Sequence, residues 1–351
     1  MTTQIDQSNW HIVGLEMLAM LLTPEEVRAI QDNPALLDKL VIASPNGWLR
    51  VLFGLGSELY VEPRPRQQLR LDMLTLQEDY YQRFSEHITR CSYATPKHIN
   101  GKGMKLKNNP FAMIRDKIGD WPNDRMYCSR LFTPYIHPDF GNHNGFTPWE
   151  SYITVSAENK NSMSAHYCYM PVGDSRGGLH FDALCEGVLS WCQKVRPVHG
   201  QAGFTVITDG LSAEPWAYPT LRRHPGLNII QPVQYRGSTE GVFNRIKCVN
   251  WLTVLGEEVL NELGGLSAAK EALEPDCTLY PYPGGVVIQA GSAPQLGDTM
   301  AGDVPECYKM VARFTKPVRF DGYTYRNGGL FRVFEPLKGV EETLKWISRF
   351  D

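Results

Sequence analysis

Apolar and polar positions along this chain follow two periods. From Leu69 to Ile88 the apolar residues Leu71, Leu74, Leu76, Tyr80, Tyr81 and Phe84 recur at helical spacing, which predicts one long helix. Phe181 to Val195 reads the same way, with Phe181, Leu184, Cys185, Val188, Leu189 and Cys192 on one stripe. Shorter helices are expected over Glu257–Leu263, Ser267–Leu273, Val304–Phe314 and Val340–Phe350. Gly264-Gly265, Pro275 and Pro317 punctuate these segments. Thr23-Pro24-Glu25-Glu26 has the chemistry of a helix start: a capping hydroxyl, a proline at the first helical position, then acids in the first turn.

Period-two or continuously apolar runs predict strands. They cover Trp48–Leu55, Glu58–Val61, Ser151–Ser156, Ala165–Pro171, Gln201–Thr208, Cys248–Leu255 and Gly284–Gly291, and the apolar run Leu227–Val233 continues the series. Ala165–Thr208 is therefore a strand–helix–strand unit. Residues 92–150 read as irregular, with Asn100-Gly101-Lys102-Gly103 and the Pro/Asn/Gly cluster at 134–148 as loops. The expected fold is α+β: a mixed, mainly antiparallel sheet covered by helices. Two subdomains, 1–150 and 151–351, are expected to join near residue 150.

With 42% hydrophobic and 21% charged residues in 351, the chain has a folded protein's balance, and long disorder is not expected. A net charge of -3 gives no drive toward nucleic acid or anionic membrane. The basic stretch with Lys97, Lys102, Lys105, Lys107 and Arg115 lacks the interleaved aromatics of a stacking platform, so it reads as a solvated surface. Ile12–Leu22 is interrupted by Glu16 and too short to cross a bilayer; it reads as a buried strand or helix, and no export signal precedes it. A cytoplasmic protein is expected, with its eight scattered cysteines as free thiols, mostly core residues.

Catalytic chemistry finds little support. There is no G-x-S-x-G elbow and no Walker sequence, and Gly54-Leu55-Gly56 lacks the third glycine of a dinucleotide fingerprint. His137, Asp139 and His143, and separately His180 with Asp182, offer metal-ligand types without a zinc spacing. Asp298 and Asp303 in GDTMAGD read first as turn residues and next as partner contacts. No cofactor and no metal are expected, and the chain is read as a binding protein and not an enzyme. A hydrolase using His180, His199 or Cys185 is the enzymatic alternative.

One set of blocks is more specific. RPVHGQAGF (Arg196–Phe204), HPGLNI (His224–Ile229), IKCVNWLTVLGEEVLNELGG (Ile246–Gly265), GGVVIQAGSAPQLGD (Gly284–Asp298) and VPECYKMVARFTKPVRF (Val304–Phe320) occur in that order. Together they resemble the type VI secretion immunity proteins that neutralise nuclease effectors, including those with VRR-Nuc domains. The likeness spans about 191–319, loosely 150–190, and the first 150 residues by length alone. It implies an antitoxin whose partner is the cognate type VI effector, a nuclease domain, with no direct contact to nucleic acid or membrane. An adaptor that loads an effector onto the secretion spike is the other binding role. A nuclease cleft is basic, so acids and aromatic anchors suit its inhibitor. The candidates are Asp298, Asp303, Glu306, Glu214 and Glu240, with Trp216, Tyr218, Tyr280 and Tyr282. Reversing Asp298 and Asp303 to Lys is expected to weaken binding without unfolding the chain.

Overall fold

In the computed structural model, the described residues are 2–3, 22–44, 47–95, 103–106, 109–119, 121–137, 139, 141–142, 145–208, 210, 213–326 and 328–351. Lys97, Asn100-Gly101-Lys102, Lys107, His143 and most of Ile12–Leu22 lie outside them. The strands that build the site are β1 (Val41–Ala43), β2 (Leu49–Val61), β3 (Arg90–Tyr93), β4 (Met104–Lys105), β5 (Tyr127–Thr133), β6 (Trp149–Val155), β7 (Ser164–Met170), β8 (His199–Thr208), β9 (Leu252–Gly256), β10 (Cys277–Tyr282) and β11 (Gly285–Ala290). The helices are α1 (Pro24–Asp32), α2 (Arg66–Phe84), α3 (Phe111–Gly119), α4 (Phe181–Val195), α5 (Glu214–Arg223), α6 (Pro232–Ser238), α7 (Glu257–Glu262), α8 (Gly265–Leu273), α9 (Glu306–Thr315) and α10 (Gly339–Ile347).

The strands form one sheet in the order β10-β11-β9-β8-β2-β7-β6-β5-β3-β4, with β1 beside the start of β2. Its ladders are antiparallel except for two short parallel ones, Thr2–Thr3 on Val41–Ile42 and Asn228–Ile229 on Thr205–Val206. The fold is thus α+β with a mixed, mainly antiparallel sheet, as the patterning predicts. The boundary expected near residue 150 falls inside β6, which pairs with both β5 and β7. β2, from the first 150 residues, sits between β7 and β8 of the remainder. The two segments share one sheet, because β2 is buried on both faces and is satisfied only at the centre.

β7 and β8 are both antiparallel to β2 and hence parallel to each other, so α4 is a crossover with β2 filling the gap between its strands. α2 and α4 cover one face. There Trp191 meets His166, and Gln77 donates to the carbonyls of Ser129 and Ser151. The N-terminal signal of α1 is realised as a reciprocal box: Thr23 Oγ1 accepts from the Glu26 amide at 3.2 Å, and Glu26 returns a bond to the Thr23 amide at 2.7 Å. Residues 92–150, read as irregular, contain β5 and α3, and the patterning also missed β10 and α5. α5 carries Pro219 in its interior and β10 carries Pro281, and each proline masks the period of its element.

Gly54 and Gly56 lie within β2, not in a phosphate loop. Gly56 faces Gly203 across the β2–β8 ladder. A methyl group on Gly56 would stand 2.8 Å from the Ile230 and Thr205 side chains, and one on Gly203 2.4 Å from Asn250 Oδ1. The bare pair lets the 228–251 segment lie directly on the sheet.

Candidate functional site

On the face opposite α2 and α4, strand register sets Arg130, Tyr152, Tyr167, Glu58 and Gln201 in one cross-strand row. The row has a buried half and an open half. In the buried half, Glu58 and Lys247 have no solvent exposure and meet at 2.6 Å. Tyr60 Oη donates to Glu58 at 2.5 Å, Gln201 Nε2 donates to the same carboxylate, and Lys247 also donates to the Ile229 carbonyl at 2.7 Å. Every atom of this charge pair is committed to the fold, so it positions the 228–251 segment and offers nothing to a partner.

The open half is a concavity of about 520 Å³. Tyr152 and Tyr167 stack across β6 and β7 with ring centroids 5.0 Å apart. Beside them Arg130 grips Glu150 with two bonds, 2.6 and 2.9 Å, and lies over the Phe132 ring. Tyr167 Oη also donates to Glu150 at 3.3 Å. Met126 and Val233 stand exposed on the rim, Val233 at 71%. Aromatic, Arg and Met side chains on a rigid sheet are the chemistry enriched in protein interfaces. None of these residues was a candidate from sequence. The available signal was the period-two placement of Tyr152, Tyr167 and Tyr169 on one side of two strands whose other side is buried.

The sequence candidates separate by burial. Glu214, Trp216, Tyr218, Tyr282 and Asp298 are interior, which corrects their reading as surface contacts. Glu214 accepts from Gln231 Nε2 at 2.6 Å and the Arg332 amide at 2.7 Å. Burial pushes its carboxyl up to about 7 against the hydrogen bonds it accepts. Trp216 packs edge-on against Phe334, Tyr218 Oη donates to Glu342, and Tyr282 lies over the β9 end. Prolines beside these aromatics suggested surface loops; instead the α5 residues among them clamp the C-terminal segment to the sheet.

Asp298 and Asp303 form a turn closed by two backbone bonds, 2.7 and 2.9 Å. Asp298 is 4% exposed and takes a two-pronged bond from Arg223, 3.0 and 2.7 Å. Burial raises its carboxyl, but Arg223 outweighs burial and holds it below the usual range. Reversal of Asp298 to Lys would therefore set two cations together in the interior, so the expectation that it leaves folding intact is withdrawn. The milder Asp298→Asn is expected to lower stability by about 2 kcal/mol, against less than about 0.5 kcal/mol for Asp303→Asn, in urea unfolding curves. Asp303 is exposed and accepts from Gln31 at 3.0 Å beside a cleft of about 350 Å³ between α1 and the 292–305 loop. Glu306 and Glu240 are exposed, Glu306 pairing with Lys309 at 2.9 Å, and Tyr280 is half-buried.

The enzymatic candidates do not converge. His199 is fully buried on the Glu58 face, with Nδ1 donating to the Val254 carbonyl at 3.0 Å. Cys185 is on α4, across the sheet, and burial pushes its thiol up to about 11. His180 precedes α4 and packs against Trp149 and Phe84. Among the described residues no group of three or more His, Cys, Asp or Glu is gathered as a metal set, and no helix is long and apolar enough to cross a membrane.

Comparison with known proteins follows the C-terminal part of this architecture. The profile of the TsiV family, described as type VI immunity for VRR-NUC, matches residues 158–350, more than half of the chain. No curated protein matches. Among solved structures, the Pseudomonas aeruginosa T6SS protein PA0821 superposes with a TM-score of 0.72 over 94% of this chain and 92% of its own, at 21% identity, a likeness of fold. The matched region holds β7 to β11, α4 to α10 and all five sequence blocks, and on it the chain belongs to the TsiV family of type VI immunity proteins for VRR-Nuc.

Proposed function

We propose that this chain is an antitoxin that binds the VRR-Nuc nuclease domain of a type VI effector and covers its substrate cleft, without turnover. The observation that carries the reading is the family match over 158–350. The open sheet face supports it: stacked Tyr152 and Tyr167 form a preorganised anchor, and the exposed Val233 adds apolar rim area. Exposed Asp303, Glu306 and Glu240 add negative charge that speeds encounter with a cleft built to hold a DNA backbone. Occlusion by a folded protein requires neither cofactor nor catalytic residue, and it acts wherever effector and antitoxin meet, which we place in the cytoplasm, where DNA is.

The test is co-purification with the VRR-Nuc domain of the effector encoded beside it, followed by a DNA-cleavage assay. The two proteins are expected to co-elute and cleavage to fall in proportion to the antitoxin added. Val233→Arg, at a site too exposed to disturb folding, is expected to weaken the complex at least about 10-fold. Asp303→Lys with Glu306→Lys is expected mainly to slow association and flatten its salt dependence. Absence of any complex with wild-type protein would refute the proposal. A complex indifferent to Val233→Arg would move the interface off the sheet face.

A further inference from the structure

The edge of the sheet holds a pair of thiols that the antitoxin reading does not use. Cys277 opens β10 and pairs in register with Ala290 at the end of β11. Cys307 is in the first turn of α9. Its Sγ lies 3.6 Å from the carbonyl of Asp276, the residue before Cys277. It also lies 3.9 Å from where a methyl on Gly291 would be, the residue after Ala290. The Cys307 thiol thus stands against the peptide bond that leads into Cys277, at the corner where β10 and β11 meet α9. Cys307 is half-buried and reachable, whereas Cys277 is 2% exposed. Other thiols meet different chemistry: Cys128 faces Thr154, Cys168 faces Ser57, Cys185 faces Gln289 and Cys248 faces Gln201.

We propose that Cys277 and Cys307 are a reversible dithiol/disulfide site, oxidised by a small-molecule disulfide. Cys307, as thiolate, attacks one sulfur of that disulfide, forming a mixed disulfide and expelling one thiolate. Cys277 then gives up its proton and attacks the Cys307 sulfur; the protein disulfide forms and the second thiolate leaves. The two protein thiols are oxidised and the small disulfide is reduced to two thiols, which take up the two protons. Burial, and next the Cys307 thiol, push the Cys277 thiol up to about 12, so Cys277 suits the second, intramolecular step, where proximity replaces thiolate abundance. The bond ties edge strand β10 to α9 and closes a loop that contains the 291–305 segment and the exposed Asp303.

The full-length protein, native and reduced, is incubated with oxidised glutathione and mapped by mass spectrometry without reduction. The expected product has lost two hydrogens, links the Cys277 and Cys307 peptides, reverts in dithiothreitol, and has a Tm higher by about 5 °C. Cys277→Ser is expected to stop at a glutathione adduct on Cys307, and Cys307→Ser to stay unmodified at Cys277. Overturning results are a wild-type protein that stops at the adduct, a bond that uses any other cysteine, or a linked protein whose Tm does not rise.

Discussion

Lys247→Ala is expected to lower the stability of this protein by about 3–5 kcal/mol, the loss typical when one partner of a buried ion pair is removed. The mechanism is not the lost attraction alone. Glu58 and Lys247 are both without solvent exposure, and the substitution leaves a carboxylate in the sheet's interior with only neutral donors, Tyr60, Gln201 and Asn228. It also strips the Ile229 carbonyl of its donor and leaves a cavity where the fully buried Lys247 side chain stood. Glu58→Gln combined with Lys247→Met removes both charges and keeps the volume, so it is expected to recover most of the loss. Urea unfolding of Glu58→Gln, Lys247→Met and the double variant gives the coupling energy. Additive losses would mean that the pair contributes nothing beyond its separate contacts.

Acid is expected to unfold the protein well before its carboxylates titrate fully. His166, His199 and His224 are buried, and burial lowers them from 6.5 to about 3, 4 and 4. His224 Nδ1 donates to the Gly297 carbonyl at 2.7 Å, and His166 Nδ1 and His199 Nε2 have no hydrogen-bond partner among the described residues. Each ring is therefore neutral when folded and takes up a proton when unfolded below pH 6.5. Their contribution is complete above pH 6.5 and is lost as pH falls from there toward 4. By pH 5 each contributes a loss of roughly 2 kcal/mol. Glu214 acts in the opposite sense: its folded carboxyl, raised from 4.5 to about 7, binds a proton first, so stability is regained as pH falls from 7 to 4.5. Three losses exceed one gain, and the urea midpoint is expected to be clearly lower at pH 5 than at pH 7. Glu214→Gln removes the gain and steepens the fall. A midpoint flat from pH 7 to 4.5 would contradict the neutral, buried state of these rings.

Much of the scaffold is readable without coordinates because its periods are local. The stripe of α4 and the box at Thr23 are decided by neighbours three and four residues away, and both appear where the sequence places them. The turn reading of Asp298 and Asp303 also holds, since a short Gly/Asp segment closes its own backbone bonds. What failed was the step from residue type to exposure. Trp216 and Tyr218 beside prolines look like loop anchors, yet α5 turns them into the core. Asp298 looks like a free acid, yet Arg223, 75 positions away, takes it inside.

By itself the sequence determined the fold class, most of the helices and the family, since hydrophobic period, capping chemistry and the order of scaffold blocks are properties of the chain. Only the tertiary structure decided that β2 sits at the centre of the sheet, that Gly56 and Gly203 make room for the 228–251 segment, that Glu58 and Lys247 meet in the interior, and that Tyr152 and Tyr167 stand on an open face. The physical reason is range: strand order and register join residues more than a hundred positions apart, and a one-residue slip would turn every side chain of a strand to its other face.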